Sequence, residues 1–187
     1  MNNSELNILN QSYIKTKNIN SQLYTVDTYI GSQNQLFRLS ISTDDDITTI
    51  ASTNCNFCNV SNKYHNILSN NSINLSNINN GVTEQIINNS YESIFIDTCS
   101  IPTESTQNGT VIKNNITVDN FTFKLAESND SWFINSELID GTLSLSYSNA
   151  TKIPSNNLVM ELYKEGKISS PSFSIFITSA NINRLYL

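Results

Sequence analysis

Two runs of alternating apolar and polar residues, separated by a turn, constrain the fold of this chain more than any other feature. Tyr24–Ile30 alternates at period 2, and Leu36–Ile41 alternates again after the turn Gly31–Gln35. Alternation at this period is typical of strands with one buried face, so the two runs predict a β-hairpin. Further runs rich in β-branched and aromatic residues predict strands at Ser93–Asp97, Thr110–Val118, Phe121–Leu125 and Ser172–Thr178.

Only one segment has the signals of a helix. It has Ser155 as the candidate N-cap and Gly166 at the C′ position. Four apolar residues share one face of this helix: Leu158, Val159, Leu162 and Tyr163. The sequence therefore predicts an all-β fold with one short helix at 156–165, and residues 54–81, rich in Asn and Ser, are predicted as loop. The predicted core is Ile30, Phe37, Leu39, Ile41, Ile50, Val111, Phe121, Phe123, Leu143, Leu145, Leu158, Leu162, Phe173 and Ile175.

Length and charge limit the organisation and the class of protein. The length of 187 residues suits one domain. Residues 1–21 are predicted to form a polar N-terminal arm, with an edge strand around Leu6–Leu9. With a net charge of −6, the chain lacks the cationic surface that a nucleic-acid binder needs. The sequence contains no run of 18 apolar residues, so no transmembrane helix is predicted. The first residues have neither a basic nor an apolar stretch, so no signal peptide is expected in them.

Three blocks of residues occur in order at 24–55, 140–147 and 162–175. In the first block eight residues keep an ungapped register: Tyr24, Ile30, Gly31, Gln35, Phe37, Thr43, Ser52 and Cys55. The second block is Asp-Gly-Thr-Leu-Ser-Leu-Ser-Tyr, and the third is a helix end followed by Gly166 and a strand. Together these blocks resemble the N-terminal lobe of the pepsin-like aspartic proteases (family A1).

The resemblance implies that 22–187 forms one pepsin-like acid protease lobe, a β-barrel-like sandwich with one short helix. The matching pattern ends near residue 180, where the family's C-terminal lobe should begin, so the second lobe is expected to be absent. The family also implies a secretory or vacuolar location. Its chemistry needs two carboxylates, one from each lobe, that share a proton and activate a water, and it needs no cofactor or metal.

The resemblance also indicates a degenerate catalytic loop at Ser42, Thr43 and Asp44. In the family's register Ser42 replaces the catalytic Asp, and Asp44 replaces the Gly that follows it. A serine hydroxyl cannot replace the carboxylate, because its pKa is too high. A frame shifted by two residues would supply a carboxylate from Asp44–Asp46 but would break the match on both sides. Those acidic residues otherwise predict a solvated turn or, as an open alternative, a cation site.

The family's flap is altered as well. Pepsin-like enzymes place a Tyr near a Gly-rich hairpin that closes over the substrate. The corresponding region is Phe95–Ser105, which contains neither Tyr nor Gly. The predicted flap residues are Asp97, Thr98, Cys99 and Ser100. Since the family's Trp and Pro after the catalytic loop are also replaced, here by Thr49 and Ala51, the sequence predicts relaxed constraint on catalysis.

The cysteines and the single histidine leave several interpretations open. The resemblance implies a disulfide between Cys55 and Cys58, with free thiols as one alternative. A metal site formed by these two residues with His65 would need Cys99 from the flap, because structural zinc takes four ligands. A Ser42–His65 hydrolase pair is formally available, although the family fold would place His65 on an outer loop.

The function that follows is a catalytically inactive protease-like lobe. A peptide, a protein or a second lobe-like chain is the expected partner. Self-association is also expected, because a lone lobe should expose apolar strand edges around Ile41–Ile47 and Phe173–Ile177. The alternatives are a glycosylated extracellular β-domain that binds peptides or proteins, and a fragment of a longer aspartic endopeptidase.

Overall fold

The computed structural model describes residues 12–19, 23–45, 47–75, 93–126, 137–146, 157–178 and 183–187. These ranges contain ten strands, a 3-10 helix at Asn66–Leu68 and an α-helix, α1, at Leu158–Lys164. The strands are β1 Tyr13–Asn18, β2 Tyr24–Ile30, β3 Gln35–Ser42, β4 Thr48–Ala51, β5 Ile73–Asn74, β6 Ser93–Gln107, β7 Thr110–Ala126, β8 Gly141–Ser144, β9 Ser174–Phe176 and β10 Asn183–Tyr186. The predicted all-β class with one short helix is confirmed. No helix in these ranges has the length and hydropathy to cross a membrane.

The strands form one sheet that closes on itself. Its order is β5-β6-β7-β4-β8-β3-β2-β1-β10-β9, and β6 also pairs with β2 and β1. These additional pairings join the ends of a seven-stranded, barrel-like sheet. β3 runs parallel to β8, and β4 runs parallel to β7. The core lies inside the barrel, where Phe37, Tyr64 and Phe123 are each about 1% exposed or less.

The hairpin predicted from alternation is formed by β2 and β3. Thr28 pairs with Phe37 and Val26 with Leu39 across the antiparallel ladder. The turn begins at Gly31, whose φ of +82° is one that side chains rarely adopt. A β-carbon there would also lie 3.0 Å from Oδ2 of Asp97, so the backbone conformation favours glycine and the packing leaves little room for a side chain.

β6 and β7 form a hairpin longer than the sequence predicted. β6 has 15 residues and β7 has 17, and they meet at Asn108 and Gly109. The predicted strand at Ser93–Asp97 continues to Gln107, and the two strands predicted at 110–125 are one. Alternate residues of β6 are buried, but several of these are polar, such as Thr103 and Ser105. Buried polar side chains therefore concealed the period-2 pattern in the sequence.

Most of the predicted core residues are buried, but four are not. Ile41 and Phe173 are partly buried and pack against the core. Val111 is 52% exposed and Ile175 is 37% exposed, so their assignment to the core was wrong. Val111 lies next to the turn at the tip of the β6–β7 hairpin, and Ile175 lies on the edge strand β9. Neither position has a second layer packed over it among the described residues.

Two predicted boundaries also need correction. The N-terminal arm at 1–21 is wrong for Tyr13–Asn18, because this segment is β1 and pairs with β10, β2 and β6. The edge strand expected at Leu6–Leu9 lies outside the described residues. The helix begins at Leu158, and the side chain of Asn157 caps it by accepting a hydrogen bond from the Met160 amide at 2.8 Å. Ser155 lies outside the described residues.

Candidate active-site loop

The candidate site consists of residues 43–45 and Ile47, which lie between β3 and β4 near the end of β8. β8 lies between these two strands, and Ser42 is opposite Ser144 in the parallel β3–β8 register. The Leu145 amide donates to the Ser42 carbonyl oxygen at 2.8 Å, which extends the ladder one residue past the end of β8. Ser42 is therefore the last residue held by the sheet before the chain enters the loop.

The Ser42 hydroxyl is used by the backbone of its own loop. Its Oγ accepts hydrogen bonds from the amides of Asp44 at 3.3 Å and Asp45 at 3.2 Å. A hydroxyl that bonds the backbone two and three residues ahead stabilises a turn. Ser42 is half-buried, whereas Thr43, Asp44 and Asp45 are exposed. The degenerate loop predicted from the sequence is thus a capped turn with its carboxylates in solvent.

Two fully buried side chains hold the loop against the barrel. The Ser144 hydroxyl donates to the carbonyl oxygen of Asp45. The Ser144 amide donates to Oγ1 of Thr48 at 3.1 Å. Both side chains are fully buried, and the hydrogen bond between the Ser144 amide and Thr48 is therefore shielded from water. From the sequence, Ser144 was only a member of the second block. Its role follows from the register of the sheet, which places it opposite Ser42.

The first two residues of the second block, Asp140 and Gly141, have structural roles of their own. They precede Ser144, which contacts the loop. Asp140 is buried, and its carboxylate accepts hydrogen bonds from the Arg38 amide at 2.9 Å and the Asn62 amide at 2.8 Å. The Asn62 side-chain amide donates to it as well, at 3.0 Å. This carboxylate thus joins β3, the 59–64 segment and β8, and it acts as a structural group.

The predicted flap residues lie inside β6. Asp97, Thr98, Cys99 and Ser100 are in the middle of that strand, and Asp97 and Cys99 are each 1% exposed. The tip of the hairpin is about ten residues further along, at Asn108–Gly109. These four residues therefore do not form a hairpin tip, because cross-strand pairing with β7 and β2 holds them in the barrel wall.

Asp97 instead centres a buried polar cluster that the sequence did not reveal. Its carboxylate accepts from the Tyr64 hydroxyl at 2.6 Å, the Ser69 hydroxyl at 2.9 Å and the Thr98 amide at 2.8 Å. Burial, followed by the hydrogen bond to Asp97, raises the pKa of Tyr64 above its usual range. The phenol therefore keeps its proton and remains a donor. Tyr64 and Asp97 lie 33 residues apart in sequence, so no local pattern indicated the pair.

The cysteines and His65 do not come together. Cys55 and Cys58 form a disulfide with their Cα atoms 5.5 Å apart, and Cys99 is a buried free thiol whose pKa is raised by burial. His65 lies at the opposite end of β3 from Ser42, next to Gln35. Its amide donates to the Gln35 side-chain oxygen, and its carbonyl oxygen accepts from the Gln35 side-chain nitrogen. The length of β3 separates the two ends by roughly 20 Å, which excludes a Ser42–His65 pair. The described ranges contain no group of three acidic, Cys or His residues able to hold a metal ion.

Three features define the class of the protein. They are the closed barrel, the capped loop between β3 and β4, and the Asp-Gly strand β8, which lies between these two strands. The family model for eukaryotic aspartyl proteases matches residues 23–184. The chain therefore belongs to the eukaryotic aspartyl protease family, and the resemblance found in the sequence is confirmed. No curated protein matches the chain.

Proposed function

We propose that this chain is a non-catalytic member of the aspartyl protease family. The observation that supports the proposal best is the position of Ser42 at the end of β3, with its hydroxyl accepting from the amides of Asp44 and Asp45. In the family's register this is the place of the catalytic carboxylate. A hydroxyl that is already hydrogen-bonded to its own turn supplies no negative charge to a reacting water.

The chemistry of the family depends on two carboxylates that share one proton. Each lobe contributes one of them, so a chain with Ser42 in its N-terminal lobe supplies none from this side. The proposal therefore holds for this lobe alone and for a longer protein that carries a second lobe. A dimer of this lobe would also lack both carboxylates.

Asp44 adds a second obstacle to catalysis. It stands where the family has a glycine that lets the two active-site loops approach each other closely. The Asp44 side chain is exposed. A carboxylate there adds both volume and charge at the contact between the loops.

Binding without cleavage is the role that remains for the lobe. The loop is held in place by the buried side chains of Ser144 and Thr48 although its catalytic residue is replaced. An ordered loop that cannot hydrolyse a peptide can still contact one, so peptides or proteins are the proposed ligands.

The test is a cleavage assay with denatured globin at acidic pH, with and without pepstatin. We expect no pepstatin-sensitive products from the purified chain. The Ser42→Ala variant serves as the matched control, because it removes the same hydroxyl without adding a carboxylate. Pepstatin-sensitive cleavage by the parent chain that disappears in Ser42→Ala would overturn the proposal. Binding of intact globin peptides by both proteins would support the binding role.

A further inference from the structure

The tip of the β6–β7 hairpin carries a sequence of the kind that accepts an N-linked glycan. Asn108, Gly109 and Thr110 form an Asn-x-Thr triplet, and all three residues are exposed. Asn108 and Gly109 have φ values of +50° and +78°, as in the tight two-residue turns that Asn-Gly favours. A β-carbon at Gly109 would meet no atom within 4 Å beyond its chain neighbours. The tip therefore has room for a bulky sugar.

Exposure separates this triplet from most others in the chain. The sequence has eleven Asn-x-Ser/Thr triplets, and six of them begin at an Asn that the structure describes. A triplet is a useful acceptor where it lies at the surface, because the transferring enzyme must reach the Asn amide and the hydroxyl residue together. Of these six triplets, only those of Asn59 and Asn108 have both residues exposed. The six are Asn59, Asn70, Asn74, Asn108, Asn115 and Asn120.

The triplet of Asn59 is already used by the fold. The Asn59 side-chain nitrogen donates to Oε1 of Glu137 at 3.4 Å, and the Ser61 hydroxyl donates to the Glu137 carbonyl oxygen at 2.9 Å. A sugar on the Asn59 nitrogen would have to displace the first of these contacts. The triplet at the hairpin tip requires no such displacement, because open space surrounds its turn.

The two triplets inside β7 are less accessible than the one at the tip. The Thr117 hydroxyl donates to Ser100 at 3.2 Å across the ladder, and Thr122 is 2% exposed. Hairpins close in about 1–10 µs, so pairing of β6 with β7 covers these hydroxyls early in folding. The turn that follows the last pair, Gln107 with Thr110, stays outside the ladder after the strands have paired.

The disulfide between Cys55 and Cys58 indicates a compartment in which such a modification occurs. Disulfides persist in oxidising environments such as the endoplasmic reticulum and the cell exterior, and they are rare in the cytosol. N-linked glycans are added in the endoplasmic reticulum. The disulfide lies after β4, far along the chain from the hairpin tip, so it supports this compartment independently of the triplet.

We propose that Asn108 is an N-glycosylation site. The donor is a lipid-linked oligosaccharide pyrophosphate, and an oligosaccharyltransferase catalyses the transfer. A bond forms between Nδ2 of Asn108 and the anomeric carbon of the first sugar, while the bond from that carbon to the pyrophosphate oxygen breaks. Nδ2 loses one proton, and the lipid pyrophosphate leaves with the electron pair of the broken bond. The proposal does not depend on whether the lobe is catalytic.

Peptide mapping of the protein purified from the cells that make it tests the site directly. Peptide-N-glycosidase F in heavy-oxygen water converts a glycosylated Asn into an Asp that carries the heavy isotope. We expect labelled Asp at position 108. The same digest without the glycosidase is the control, because Asn-Gly sequences also deamidate without an enzyme. An unmodified Asn at position 108, or equal labelling in the control, overturns the proposal.

A matched pair of variants at Thr110 tests the role of the hydroxyl. Thr110→Val removes the hydroxyl and keeps the shape of the side chain, whereas Thr110→Ser keeps the hydroxyl. When both are expressed in the same cells as the parent, Thr110→Val should carry one glycan fewer by intact mass, and Thr110→Ser should carry as many as the parent. Circular dichroism should show both variants folded, since residue 110 is exposed. An equal number of glycans in Thr110→Val and the parent, or a parent without any glycan, overturns the proposal.

Discussion

Gly141 of β8 lies directly against the backbone of Thr49 in β4. A β-carbon at Gly141 would stand 2.1 Å from the Thr49 carbonyl oxygen and 3.0 Å from a methyl carbon of Leu39. No real contact is that short, and the nearest atom belongs to the backbone, which cannot rotate away. The glycine of the Asp-Gly block is therefore needed for β8 to fit between β3 and β4.

Substitution Gly141→Ala should consequently destabilise the fold strongly. We expect a loss of at least about 3 kcal/mol in the free energy of unfolding, because a strand must shift to admit the methyl group. Gly109→Ala is the control, since open space surrounds Gly109 and only its φ of +78° is unfavourable. That variant should lose about 1–2 kcal/mol. Urea unfolding of both variants measures the difference, and equal losses would contradict the packing argument.

The cluster around Asp97 should contribute to stability through its charged acceptor. Tyr64→Phe removes the 2.6 Å hydrogen bond to a buried carboxylate and should cost about 1.5–3 kcal/mol. Tyr163→Phe, on an exposed tyrosine, should change stability by less than about 0.5 kcal/mol. Combining Tyr64→Phe with Asp97→Asn in a double-mutant cycle measures the coupling by thermal unfolding. Additive losses would show that the two side chains do not depend on each other.

The Cys55–Cys58 disulfide should stabilise the chain modestly, because it closes a loop of only four residues. The entropy removed from the unfolded chain by so short a loop corresponds to about 2 kcal/mol. Chemical denaturation with and without a reducing agent measures this difference. The double substitution Cys55→Ser and Cys58→Ser should lose a similar amount and become insensitive to the reducing agent. A variant as stable as the oxidised parent would refute the expectation.

The buried thiol of Cys99 should make the fold sensitive to alkaline pH. Burial raises its pKa, so the folded chain keeps a proton that the unfolded chain loses above about pH 8.5. The unfolded state then binds fewer protons, and the free energy of unfolding falls by about 1.4 kcal/mol for each further pH unit. Unfolding of the parent and of Cys99→Ser between pH 8 and 10 measures the effect. The slope should be smaller in Cys99→Ser, and identical slopes would contradict the assignment.

Several elements were predictable because their signal is local. The β2–β3 hairpin follows from alternation within a few residues, and the end of α1 follows from Gly166, which has a positive φ. That Ser42 stands at the family's catalytic position remains a proposal.

Other features depended on residues far apart in the chain. β1 and β10 pair Tyr13 with Tyr186, and neither short strand has a local pattern strong enough to predict it. The expected exposure at Phe173–Ile177 holds for residues 174–177, whereas Ile41 and Ile47 are partly covered. Whether the side chains of these residues are buried depends on which strand lies next to them in the sheet.

The sequence by itself determined the all-β class, the first hairpin and the short helix, because these depend on side chains a few residues apart. The tertiary structure alone decided the closure of the barrel by β6 and the burial of Asp97 beside Tyr64. Each of these results from strand pairings between distant segments. Pairing of that kind is selected by the total burial of the sheet, which a local pattern of apolar residues does not specify.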